Sequence, residues 1–81
     1  MSNEETFRRY LLATNELLIE FAREAKRHAD ESRGTEASNF NSGYLMGFHR
    51  VISLMQQQAA AFGLDVADVG LSELDADRDL T

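Results

Sequence analysis

Apolar residues recur along this chain at the spacing of two long helices. In the first stretch they step by three and four residues, which places them on one side of a helix. The positions are Phe7, Leu11, Thr14, Leu18, Phe21 and Ala25. No strand-like alternation competes, so the spacing predicts a first helix over about residues 4–32. Ser2 with Glu5 is a capping-box pattern at its start, and Gly34 suits the left-handed residue that ends it.

The second predicted helix, over about residues 38–62, is apolar around roughly half of its circumference. Its apolar and small positions are Phe40, Tyr44, Gly47, Phe48, Val51, Ile52, Leu54, Met55, Ala59 and Phe62. Gly63 suits the turn that ends this helix. One neighbouring helix covers a narrower stripe than this, so the sequence predicts more apolar helix surface than two helices can bury against each other.

A short connection around Gly34 predicts that the two helices are antiparallel neighbours. In that pairing, small residues oppose small residues near the turn, and we expect the helices to approach closely there. These close-packing residues are Ala22, Ala25, Ala29, Gly43 and Gly47. The predicted fold class is therefore all-α, a long antiparallel helical hairpin with a short helical C-terminal tail.

Beyond Gly63 the sequence predicts two short turns over residues 65–74, with Asp65 and Ser72 as caps. The helical hairpin domain then covers residues 1–74. Residues 75–81 form an acidic end that holds three aspartates, and we expect them to form a frayed tail.

The negative charge is concentrated at the end of the chain. The formal net charge is −6, and residues 63–81 hold six acidic residues against Arg78 alone. Nucleic acids and anionic membranes attract basic surfaces, so neither is an expected partner. The preferred interpretation is a solvated tail, and the alternative is an acidic arm that docks on a basic partner.

Small size and surplus apolar surface together predict self-association. A chain of 81 residues supports only a thin core, and it contains no cysteine that could add a disulfide. We therefore expect a symmetric homodimer that completes a four-helix bundle. The alternative is that a different, larger protein covers the surplus apolar surface. The predicted dimer interface consists of Leu12, Ile19, Leu45, Phe48, Ile52, Met55 and Ala59.

Candidate catalytic chemistry is sparse. Glu20, Glu24 and His28 line one edge of the first helix, and His49 lies on the second helix. The chain lacks the Glu-x-x-His pairs of diiron bundles, and the pairing separates the two histidines by about two helical turns. Neither a nucleophile motif nor a phosphate-binding loop is present. The sequence therefore predicts no catalytic residue, no cofactor and no metal ligand.

The expected function is a non-enzymatic one, exerted through self-association and through regulation of a partner protein. The alternative is a ligand- or metal-binding helical bundle, enzymatic or not, that uses the acidic and histidine edge. A cytoplasmic location is expected, because the first residues are acidic and polar rather than a basic and apolar signal, and cysteine is lacking.

Overall fold

The computed structural model describes residues 3–81, and this part of the chain is helical without strands. Helix α1 spans Asn3–Glu31 and helix α2 spans Ser38–Ala61. A 3-10 helix follows at Val66–Val69, and a short helix α3 at Ala76–Asp79. The two long helices pack against each other, so the predicted all-α hairpin with a short helical tail is confirmed. The predicted capping role of Ser2 lies outside the described residues.

A glycine follows each of the two long helices at the turn that ends it, as the sequence predicts. Gly34 has a φ of 78° in the turn after α1, and Gly63 has a φ of 73° after α2. At the second position the Gly63 amide donates to the Ala60 carbonyl, and the Leu64 amide donates to the Ala59 carbonyl at 2.8 Å. This pair of bonds satisfies carbonyls at the end of α2 and redirects the chain.

Residues 64–81, here called the C-terminal segment, run back along the groove between α1 and α2. Val69 lies beside Asn15 of α1, and Asp77 lies beside His49 of α2. Further along, the carbonyl of Thr81 accepts a hydrogen bond from Lys26 at 2.9 Å. The segment therefore travels from the open end of the hairpin towards its turn and covers one side of the two helices.

The core is built from all three parts of the chain. Its buried apolar residues are Ile19, Ala22, Ala25 and Ala29 of α1, Leu45, Ile52 and Ala59 of α2, and Val69, Leu71, Leu74, Ala76 and Leu80 of the C-terminal segment. The segment supplies the larger side chains and α1 mostly supplies alanines. The small residues let the segment and α2 approach α1 closely.

The expectation that residues 75–81 form a frayed tail is wrong. Leu80 is 1% exposed and Ala76 is 4% exposed, so both belong to the core. Asp75, rather than the predicted Ser72, caps the short helix that carries them, because its carboxylate accepts from the Arg78 amide at 3.0 Å. The acidic side chains of this stretch face solvent while the apolar ones between them point inward, so the charge does not prevent packing.

Side chains of the long helices hold the irregular backbone of the C-terminal segment. The Gln56 amide donates to the Leu71 and Leu74 carbonyls at 3.0 and 2.7 Å. The Asn15 amide donates to the Val69 carbonyl at 2.6 Å, and the Arg23 guanidinium donates to the Glu73 carbonyl at 3.1 Å. These bonds satisfy carbonyls that no strand or helix partner could reach. The Asn15 Oδ1 atom, by contrast, is buried without a partner among the described residues.

The close packing predicted near the turn forms in a different way. Ala22, Ala25 and Ala29 are buried as expected, but Gly43 and Gly47 are exposed. Within the described part of the chain, a Cβ atom added at either glycine would meet nothing within 4 Å beyond the adjacent backbone of α2. The alanines pack instead against the larger residues of α2 and of the C-terminal segment, and the glycines lie on the opposite side of α2.

Leu80 tests whether the C-terminal segment is part of the folded core. We expect Leu80→Ala to lower the free energy of unfolding by about 2 kcal/mol or more, because the change leaves a cavity under a fully covered side chain. Leu64→Ala, at a position that is 48% exposed, is the matched control and should cost less than about 1 kcal/mol. Urea denaturation at one protein concentration measures both. Equal effects would show that the segment is not packed as described.

Acid should loosen α3 before the long helices. The hydrogen bond from the Arg78 guanidinium, helped by the Asp75 amide, lowers the pKa of Asp79 from 3.8 to about 2. A carboxylate whose pKa is lower in the folded than in the unfolded protein stabilises the fold at pH values above its unfolded pKa. This stabilisation is lost as the pH falls from about 4 towards 2. Amide chemical shifts of residues 75–81 should therefore change over this pH range in the native protein. In Asp79→Asn they should change less, and identical titrations of the two proteins would contradict the assignment.

Candidate interaction surface

The side of the hairpin opposite the C-terminal segment exposes large apolar side chains. These residues, here called the apolar face, are Phe7, Tyr10, Leu17 and Phe21 of α1, with Phe40, Tyr44, Val51 and Leu54 of α2. Their exposed fractions range from 47% at Val51 to 73% at Phe40. Phe62, just after α2, is also exposed but lines a cavity with Val69 and Leu71 of the C-terminal segment. Scattered exposed apolar residues are common in proteins, but eight of them on one side form a contiguous patch of the kind that marks an interaction site.

Helical spacing and one shared cleft show that these residues form a single surface. On α2, the positions 40, 44, 47, 51 and 54 alternate steps of four and three, which is the spacing of a helix-packing seam. On α1, the positions 7, 10, 14, 17 and 21 do the same. A cleft of about 400 Å³ is lined by Phe21 of α1 together with Phe40 and Tyr44 of α2, so the two seams meet.

Aromatic contacts define the surface shape of the α2 part of the apolar face. Phe40 and Tyr44 stack with ring centroids 6.1 Å apart, and Tyr44 meets Phe48 edge-on at 5.3 Å. Such pairs are favourable beyond the area they bury. Beside this aromatic ridge, Gly43 and Gly47 leave open space over the backbone of α2. The surface thus presents bulky rings next to a shallow depression.

Most of the predicted dimer interface is buried inside the chain itself. Ile19, Leu45, Ile52 and Ala59 are between 0% and 6% exposed. Leu12 is half-buried and lies against Gly70 of the C-terminal segment. These five residues are not available to a second molecule, because the segment covers the side on which they lie. Phe48 and Met55 are partly buried against the core, at the border of the apolar face.

The molecule is flatter and exposes more surface than a compact monomer of its size. Its principal dimensions are 50 × 24 × 16 Å, so it is long and flat, with the two helices on one side and the C-terminal segment on the other. Its radius of gyration is 14.5 Å, whereas about 12 Å is typical of a compact domain of this length. Its accessible surface is 5922 Å², roughly 1,000 Å² above the value of about 4,900 Å² usual for a monomer of this mass. That excess is comparable with the ~800 Å² that each partner buries in a standard interface.

The acidic and histidine residues considered for a metal site do not come together. His28 lies 4.0 Å from Glu24 on the same helix, while the His49 Nε2 atom lies 2.9 Å from an Asp77 carboxylate oxygen on the other side of the molecule. Among residues 3–81, no group of three or more histidine, aspartate or glutamate residues could hold a metal ion. The geometry therefore offers no support for the alternative of a metal-dependent bundle.

Comparisons with protein-family models, with curated proteins and with solved structures found no match for this chain. Within residues 3–81, neither long helix contains a stretch apolar enough to cross a bilayer. Inferences about function therefore depend on the geometry of the apolar face.

Gly47 tests whether the apolar face is free of intramolecular contacts. We expect Gly47→Ala to raise the free energy of unfolding by up to about 1 kcal/mol, because alanine favours the helix and meets no neighbour. Gly63→Ala is the matched control and should destabilise, since its φ of 73° disfavours a side chain. Urea denaturation at the lowest workable concentration, where association contributes least, measures both. A destabilised Gly47→Ala monomer would place this glycine against another part of the chain.

Proposed function

We propose that this protein is a non-enzymatic interaction module that pairs with a second copy of itself through the apolar face. The observation that carries this proposal is the set of eight large apolar side chains exposed on one side of the hairpin. The predicted homodimer is thus retained, but with a different interface from the one expected from the sequence. A cytoplasmic location and regulation of a further protein belong to the same proposal.

Three features support a second copy as the occupant. Each copy presents two antiparallel helices with seam spacing, and two such layers form a four-helix bundle when stacked. The excess surface is close to the area of one side of a standard interface. A symmetric pair also places the same apolar face on both sides of the contact, so neither copy leaves that face in water.

Leu54 tests the proposal directly. We expect the native protein to sediment as a dimer at micromolar concentration in analytical ultracentrifugation, and Leu54→Glu to sediment as a folded monomer. A carboxylate buried in an apolar interface without a partner costs several kcal/mol, whereas Leu54 is already 54% exposed in one copy. The substitution should therefore leave the helical content unchanged.

Met46→Glu is the matched control. Met46 is 70% exposed on the same helix and lies outside the apolar face, at a groove that it lines with Leu54 and Arg50. Its carboxylate would stay in water at the edge of the contact, so this variant should lose far less affinity than Leu54→Glu. A native protein that stays monomeric, helical and cooperatively folded at all accessible concentrations would overturn the proposal. A native protein that captures a different protein in place of a second copy would overturn the choice of partner.

A further inference from the structure

We propose further that the two copies pair with their helix turns at the same end, so that Arg50 of one copy meets Glu20 and Glu24 of the other. This inference rests on the proposed self-association and specifies its geometry. It follows from the charges at the two edges of the apolar face.

Arg50 is a cation without a partner at the α2 edge of the apolar face. It is the only arginine or lysine of α2, and α2 contains no acidic residue. Among residues 3–81, its side chain makes no hydrogen bond and no ion pair. It borders a shallow groove together with Gly47 and Leu54, so it lies beside the surface that a second copy would cover.

The α1 edge of the same face is acidic. Glu20 and Glu24 lie one helical turn apart at the outer edge of α1. Glu24 lines the cleft with Phe21 and Tyr44, whereas Glu20 lines a cavity towards the C-terminal segment with Arg23 and Glu73. Glu20 has no ion pair among the described residues, and Glu24 has only His28, at 4.0 Å. The basic residues nearest to them have other contacts: Arg23 and Lys26 donate to the C-terminal segment, and Arg27 lies 3.9 Å from Glu31. The two edges therefore carry opposite charge.

The position of Arg50 along the hairpin matches that of the acidic pair. Residues that line the same cavity lie at about the same height along the helix axes. The cleft pairs Phe21 and Glu24 of α1 with Asn41 and Tyr44 of α2. A second cavity pairs Asn15 of α1 with Met55 and Ala59 of α2. Interpolation between these levels places Arg50 within about one helical turn of Glu20 and about two turns of Glu24. Long arginine and glutamate side chains span such offsets across a helix seam.

Two symmetric arrangements bury the apolar face, and they differ in which edges meet. With the two-fold axis along the helices, the turns lie at one end, α1 of each copy packs on α2 of the other, and opposite charges meet. With the axis across the helices, the turns lie at opposite ends, like helices pack together, and like charges meet. Complementary charge favours the first arrangement, and repulsion acts against the second.

The surface shape of the apolar face agrees with the arrangement in which the two turns lie at the same end. When α1 lies across α2 of the other copy at the same level, the ring of Phe21 comes over the depression at Gly43 and Gly47. Apart from the adjacent backbone of α2 itself, no atom of residues 3–81 lies within 4 Å of the position that a Cβ would take at either glycine. A large side chain against small residues fills the interface without a void.

Charge reversal tests the arrangement in the full-length chain. The variants are Arg50→Glu, the double change Glu20→Arg with Glu24→Arg, and the combination of all three. In low salt, we expect each of the first two to weaken the homodimer about tenfold or more, because both symmetric seams become repulsive. The combined variant should regain native affinity, and a mixture of the first two should form heterodimers. The differences should shrink at high salt.

Arg8→Glu is the control for net charge. Arg8 lies one heptad before Asn15, on the side of α1 that carries the C-terminal segment, so its reversal should not weaken the dimer. Full native affinity in Arg50→Glu, while Leu54→Glu still dissociates the pair, would overturn this inference and leave the proposed function intact. A native protein that never dimerises would overturn both.

Discussion

The packing of the C-terminal segment into the groove between α1 and α2 determines the rest of the structure. Two helices in contact leave a groove on each side, and this chain has enough apolar residues to line both. The segment fills one groove with Leu71, Leu74 and Leu80. That choice makes Ile52 a core residue and leaves its neighbour Val51 in solvent, although the two are chemically similar.

The segment is held by backbone recognition as much as by apolar burial. Its carbonyl groups accept from Asn15, Arg23, Lys26 and Gln56 along most of its length. Burying an asparagine with one unpartnered oxygen is unfavourable, and it is tolerated where the bond to Val69 fixes the place at which the segment enters the groove. Polar residues of this kind specify alignment, which leucine packing alone defines poorly.

The sequence was sufficient to predict both long helices, the glycine turns that end them and the presence of surplus apolar surface. It could not identify which surface is surplus. On α2, Leu45, Ile52 and Ala59 follow one another at steps of seven residues, and so do Tyr44 and Val51. Only a tertiary contact distinguishes the two sets. The residues that decide which side of α2 is covered are leucines such as Leu74 and Leu80. They stand between acidic residues near the end of the chain, and the negative charge there led to the prediction of fraying.

The acidic side chains of the C-terminal segment limit how far an assembly could grow. Asp65, Asp68, Glu73, Asp75 and Asp77 are exposed on the side opposite the apolar face. A pair joined through that face would be negatively charged on both outer surfaces, so a third molecule would approach like charge rather than a free apolar surface. Association would then stop at two copies, and a flat molecule with one apolar face would not polymerise into filaments.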